Sequence, residues 1–227
     1  LKNQIPKSSS IGKNVIIEEG VRIGENVKIG DNTVVLKHTH VGDHVTIGCN
    51  CVLGIKPGGN KRMRNIQEKN ESLIIQDYAT IGNLVTIYSS TEIGKHVFIA
   101  DHASIRENVQ IEEGTVVGRG SIIELNTKIG KRCTIQTLAY ITGDTVIEDD
   151  VFIGPCVSMS NDKYMGAKEY ELKGPIIKEG AKIGNNATLL PGVMIGEKGI
   201  VGAGSVVTKD VRNNEVVVGV SAKKLQK

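Results

Sequence analysis

From residue 75 to residue 159 a bulky apolar residue returns every six positions without a slip. The series is Ile75, Ile81, Ile87, Ile93, Ile99, Ile105, Ile111, Val117, Ile123, Ile129, Ile135, Ile141, Ile147, Ile153 and Met159. A period of six fits neither the 3.6 of a helix nor the 2 of one long strand. It fits short strands separated by regular turns, each strand sending its aliphatic into one interior. Units such as Ile81-Gly82-Asn83-Leu84-Val85-Thr86 and Ile129-Gly130-Lys131-Arg132-Cys133-Thr134 place a small residue after the aliphatic, then polar ones, then another small side chain. One such coil cannot bury its own apolar side, but the next coil stacked on it can. The sequence therefore predicts an all-β parallel β-helix of hexapeptide repeats, with rungs about 4.8 Å apart. A sandwich of short strands would not hold one phase over so many units.

The same phase runs through Ile11, Ile17, Ile23, Ile29, Val35, Val41, Ile47 and Leu53, and again through Ile177, Ile183, Leu189, Ile195, Val201 and Val207. Three units per turn would give about nine to ten coils. Two stretches leave the pattern. Residues 54–74 are rich in Gly, Pro and charge, and Lys56, Lys61, Arg62, Arg64 and Lys69 make them basic. They are expected to leave the coil as a loop, either a solvated excursion or a lid or anion-binding arm over the neighbouring subunit. Residues 160–176 carry Tyr164 and Tyr170. Because Met159 and Ile177 stand one coil length apart, this excursion is expected to replace coil residues. The coil is expected over 1–215, with 216–227 closing its last turn or capping it by a short helix, since a bare end would be a sticky edge.

Composition narrows the function. The formal net charge is only +3 in 227 residues, too weak and mixed for a nucleic-acid partner. Neither a leader nor an apolar run long enough to span a bilayer is expected, and no membrane partner. Cys49, Cys51, Cys133 and Cys156 are expected to be small thiols rather than metal ligands, with Cys49 and Cys51 facing the same way along one strand. Free thiols suit a reducing compartment, so a cytoplasmic location is expected. His38, His44, His96 and His102 each follow the aliphatic of their unit by three places, as a recurring turn position would; His40 follows by five. A zinc site built from His38, His40 and His44, as in a carbonic anhydrase of this fold, would need several of them to meet at an interface.

The repeats, together with IEDDVFIGPCVSMSND at 147–162, KGPIIKEGAKIGNNATLLPGVMIGEKGIVGAGSVVTKDV at 173–211 and VGVSAK at 218–223, resemble the bacterial hexapeptide-repeat acyltransferases. The branch most resembled acetylates nucleotide-linked amino sugars. That resemblance implies a left-handed parallel β-helix, a homotrimer with its active site between two subunits, and acetyl-CoA as co-substrate lying along the C-terminal coils. It raises Gly184, Gly202, Ala203 and Gly204 as a smooth cofactor face and Lys209 and Lys223 as partners for its phosphates. Read alone, they are corner glycines and solvated lysines. Where the family's last motif has Pro, this chain has Ser221.

Acyl transfer to an amine or hydroxyl needs a nucleophile relieved of its proton and help for the developing oxyanion. Many relatives carry a histidine where this chain has Ser160-Asn161-Asp162, and the amino-sugar branch has a Thr-Asn pair there. Asn161 and Asp162 are thus candidates to hold or orient the sugar, or else turn formers. His102 is the candidate base; on an 18-residue coil it shares a corner column with Gly120 and Leu138. Leu138 stands where the branch tends to carry a polar substrate contact. Glu124, Asn126, Tyr140, Tyr164, Arg62 and Arg64 complete the candidate substrate set. The expected reaction is direct transfer to an amino group in a ternary complex. An O-acetyltransferase using His102 or His40, and a β-helix that binds without chemistry, are the alternatives.

Overall fold

The computed structural model describes residues 5–60, 64 and 71–224. It is a parallel β-helix in which each coil from Ser10 to Ile195 contributes one strand of two to four residues to each of three sheets. The first sheet stacks Ser10–Ile11, Lys28–Ile29, Thr46–Ile47 and their successors; the second runs from Ile16–Ile17, the third from Arg22–Ile23. Register is fixed by the repeat, so that Ile81 pairs Ile99, Ile87 pairs Ile105 and Ile93 pairs Ile111. Each aliphatic thereby stands on the one a coil below. Ile99, Ile105, Ile123, Ile135, Ile141 and Ile153 are all fully buried. At about 1.5–3 kcal/mol for each large side chain removed from water, these columns drive the fold.

The corners explain the rest of the repeat. The third residue after each aliphatic takes a left-handed conformation, as in His38, His44, His96, His102, Asn108, Asn126, Leu138 and Asp144 (φ 56–66°). Asn, Asp and His suit that conformation, while Leu adopts it only under the constraint of the coil. The histidine spacing in the sequence is therefore a corner position. The next residue points inward and is small. Cys51 and Cys133 occupy this place, with Sγ donating to Gly82 O and Glu148 O at 3.0 Å. Burial pushes both thiols up. Cys49 and Cys51 flank a corner rather than sharing a strand; Cys51 is buried and Cys49 half-buried.

Two expectations change. Stacking by one coil would set Ile177 on Met159, but Met159 pairs Leu189, and Ile177 pairs Ile147 in the third sheet. The second excursion is thus inserted between neighbouring strands and does not replace coil. Its length, a multiple of six, hid the insertion. The twelve-stranded first sheet also counts eleven parallel rungs, beyond nine to ten, because Val216–Val218 adds a rung past the last clear hexapeptide. Among the described residues no helix caps the end. Lys223–Lys224 turns back antiparallel on Val216–Val218 and covers that edge. Among the described residues no helix is long and apolar enough to cross a membrane.

Both excursions leave at the same corner, between the second and third sheets. The first departs after Val52–Ile55 and returns at Leu73–Ile75; the second departs after Ser158–Met159 and returns at Ile176–Ile177. That shared corner is where the chain departs most from a plain coil.

Candidate active site

The second-to-third corner carries a ladder of polar side chains at 18-residue spacing. Asn108 Nδ2 donates to Asn126 Oδ1 at 3.1 Å, and Asn126 Nδ2 donates to Asp144 Oδ1 at 3.0 Å. One coil further on, the second excursion has left, and its first residues cover the ladder's end. Asn161 Nδ2 donates to Gly143 O at 3.3 Å, and Lys173 N donates to Asn161 O at 3.0 Å, closing the neck of the loop. The first excursion leaves the coil four rungs below, about 19 Å away. Its Arg64 donates to Asp144 through both terminal guanidinium nitrogens, Nη1 and Nη2, at 2.5 and 2.8 Å. Burial alone would raise the Asp144 carboxyl. The bonds from Arg64, Asn126 and Asn161 and the charge of Arg64 outweigh it and hold the group below the usual carboxylate range.

That sign has a consequence. A carboxyl depressed in the fold contributes stability above the unfolded pKa of about 4, and the contribution is lost as pH falls through the folded value. Wild type should therefore exceed Asp144→Asn in urea midpoint at pH 6, and the gap should shrink below pH ~4. A gap unchanged at low pH would contradict this.

Beside the ladder, on the outer side of the second sheet, lies a second polar group. Arg106 donates to Glu107 through Nε at 2.7 Å and Nη2 at 2.9 Å, and its Nη1 lies 3.6 Å from Glu124. Glu107 is only 1% exposed, so the pair is matched inside the protein. The Arg106 guanidinium also lies 5.1 Å from the Tyr88 ring centre. Burial first, then the Glu124 charge, push the Tyr140 hydroxyl up. A half-exposed tyrosine, a carboxylate and an amide ladder, met by Arg64 and by the neck of the second excursion, make a wall suited to a hydroxyl-rich ring.

The structure therefore gathers Glu124, Asn126, Tyr140, Arg64 and Asn161 at one corner. Asp162 sits beside them, but its carboxylate accepts from Tyr164 N at 2.8 Å and Gly166 N at 2.7 Å, which shapes its own loop. Tyr164 stands edge-on to Tyr170 at 5.3 Å, with Lys168 Nζ 3.9 Å from its ring centre. Arg62 lies outside the described residues. Sequence reasoning missed Asp144, Arg106 and Glu107. The polar 18-residue series at 108, 126 and 144 was the available signal.

His102 is not in this group. It shares the first-to-second corner with Leu138, as the spacing predicts: His102 N donates to Asn83 O, Gly120 N to Asp101 O and Leu138 N to Arg119 O. Leu138 is 59% exposed and folds its Cδ2 over Gly120. The same corner, in the last coils, carries Gly184, Gly202, Ala203 and Gly204. A Cβ at Gly184 would meet the Ala203 backbone at 2.5 Å, whereas one at Gly204 would meet nothing within 4 Å. Gly184 is thus required by the stacking, and Gly204 leaves an open outer surface. Lys209 lines a cleft of about 320 Å³ at the coil's end with Asp210, Arg212, Glu215 and Lys224, and Lys223 lies exposed in the closing strand.

His40 is on the third sheet, beside a cleft of about 310 Å³ with Gln76, Asp77 and Lys95. Burial, then the charges of Arg22 and His38, lower its pKa. Among the described residues no three His, Cys, Asp or Glu side chains come together to hold a metal.

Comparison with known proteins agrees with the coil. A family model described as bacterial transferase hexapeptide (six repeats) matches residues 20–54 and 174–209. One described as the GMPPB C-terminal domain matches residues 64–170. The bifunctional protein GlmU of Fervidobacterium nodosum is 41% identical over 93 residues, 41% of this chain and 19% of the relative. That of Alkaliphilus metalliredigens is 30% identical over 175 residues, 75% of this chain and 33% of the relative. The chain thus spans between about a fifth and a third of the GlmU proteins it matches. A Schizosaccharomyces pombe protein that carries the name acetyltransferase is 36% identical over 114 residues, 45% of this chain and 53% of that one. The solved UDP-N-acetylglucosamine acyltransferase of Campylobacter jejuni shares the fold over 96% of this chain and 74% of its own, at 17% identity and a TM-score of 0.62.

Proposed function

We propose, for what is by its repeats, its coil and its matched family model a hexapeptide-repeat protein, that it transfers an acetyl group from acetyl-CoA to the amino group of a nucleotide-linked sugar. The observation that carries this is the convergence of Asn161, Asn126, Glu124 and Tyr140 at one corner, where Arg64 also meets Asp144. They offer amide, carboxylate and aromatic groups, the chemistry that holds a polar ring. The smooth corner around Gly204, in the coils matched by the transferase repeat model, suits an extended pantetheine arm.

The amine's lone pair attacks the thioester carbonyl carbon in a ternary complex. The new C–N bond forms, the C–S bond breaks, and the proton lost by nitrogen balances the departing thiolate. Direct attack needs no covalent enzyme intermediate.

The two candidate surfaces lie on different corners of one chain. A homotrimer reconciles them by setting the first corner of one subunit against the second corner of the next. Outward Phe98 and Val116, stacked on successive rungs of the first sheet, give an apolar surface that side-by-side packing would cover.

Calorimetric titration with coenzyme A tests the cofactor half: saturable binding is expected, and none at millimolar concentration would overturn it. His102 separates amine from hydroxyl transfer. An amine attacks through its own lone pair and needs less help from a base than a hydroxyl does, so His102→Ala should keep turnover on an amino sugar within about threefold, less than a general base contributes. A fall of a hundredfold or more would make His102 the base and favour the O-acetyltransferase alternative.

A further inference from the structure

We propose that Asp144 is the seat of the substrate's amino group, and that Arg64 marks this seat by holding it with a cation of the chain's own. The inference rests on the amino-sugar reading above and says which side chain receives the amine. Three observations lead to it. First, Asp144 is the last member of the corner ladder. Asn108 and Asn126 each pass a hydrogen bond to the residue one coil on, but Asp144 has no corner side chain above it, because the chain leaves as the second excursion.

Second, its carboxylate is oriented from below and capped from the side. Asn126 fixes Oδ1, Asn161 bonds it from the excursion, and the remaining capacity of both oxygens faces Arg64. Third, the cation it holds comes from 80 residues away in the sequence, on a separate loop, and not from the coil. The contact is bidentate, and Asp144 remains 21% exposed. A carboxylate held this way, beside Tyr140 and Glu124, can accept a primary ammonium in place of the guanidinium, and the amine attacks once that ammonium has given up a proton to solvent. An N–H donor of the sugar would take the oxygens Arg64 now uses, and a hydroxyl at the same carbon would lack the charge. Asp144 thus discriminates amino from hydroxy sugars, and Arg64 competes with the ligand it resembles.

The probe is free glucosamine, at tens of millimolar and mildly acidic pH where its amine is protonated, with glucose as the uncharged match. In Arg64→Ala, glucosamine should raise the melting temperature by about 2–4 °C, the shift that ~1 kcal/mol of ligand binding gives a chain of this size. Wild type should respond less, because Arg64 competes. Arg64→Ala combined with Asp144→Asn should not respond, and glucose should stabilise none of them. Asp144→Asn keeps the shape of the side chain and the bond from Asn126, so the ladder should stay intact. Glucose acting as well as glucosamine, a double variant that responds like Arg64→Ala, or no response in Arg64→Ala would each overturn the proposal. Neither coenzyme A nor nucleotide enters this test. Its failure would leave acetyl transfer standing, and a failure of acetyl transfer would not produce it.

Discussion

Ile123→Asp should abolish the cooperative fold of the middle coils. Ile123 is fully buried between Ile105 and Ile141 on the second sheet, in register with both. A carboxylate there has no cation and no water, and the coil offers no slack, because each rung is held by the one above and below. A buried unpaired charge belongs to the short list of changes that cost more than about 4 kcal/mol. The milder Ile123→Ala should still cost about 2–5 kcal/mol, from lost transfer energy and the cavity left behind. Urea denaturation followed by circular dichroism measures both. Because stability in a stacked coil is passed between neighbours, Ile123→Asp should split the transition into two steps, one for each flanking half. A single transition within about 1 kcal/mol of wild type would contradict the stacked columns as the source of stability.

Asn161→Ala should lower kcat/KM for acetyl transfer to an amino sugar by about 10–100-fold. Asn161 is the residue at which the second excursion meets the ladder, bonded to Gly143 O and to Asp144. Removing its amide takes away a donor beside a charged group, worth about 1.5–3 kcal/mol, which converts to that factor. It also frees Asp144 on one side. The loop should survive, because its neck is held by the backbone bond from Lys173 N to Asn161 O and its tip by Asp162. Steady-state kinetics on folded variant decides the matter. An unchanged kcat/KM would remove Asn161 from the site and reduce it to the turn former that its sequence context also allows.

The coil was legible because one physical requirement repeats in every unit. A bulky aliphatic must fill the interior, a small residue must lie where the next coil's backbone passes, and a residue tolerant of the left-handed conformation must turn the corner. Ile81, Gly82 and Leu84 show all three within four positions. The column of His102, Gly120 and Leu138 followed directly from the coil length. The corner to which the second excursion belongs did not. An insertion that is a multiple of six leaves the hexapeptide phase intact, and only the pairing of Met159 with Leu189 exposes it. The Arg64–Asp144 contact was beyond the sequence for a different reason. It joins a loop to a corner four rungs away, and the periodicity says nothing about where a non-repeating segment lands. Glu107 was hidden too: a carboxylate at an outer position reads as solvated until Arg106 is seen to cover it.

Release of free thiol from acetyl-CoA on mixing with nucleoside-diphosphate amino sugars measures the central claim most directly. The account predicts release that saturates in both substrates, with an amide product of acetyl mass, and no release when the sugar carries hydroxyl in place of amine. Thiol release with the hydroxy sugar alone would contradict amine transfer. No release with any amino sugar, from protein that also fails to bind coenzyme A, would contradict the transferase itself and leave a stacked coil built for binding.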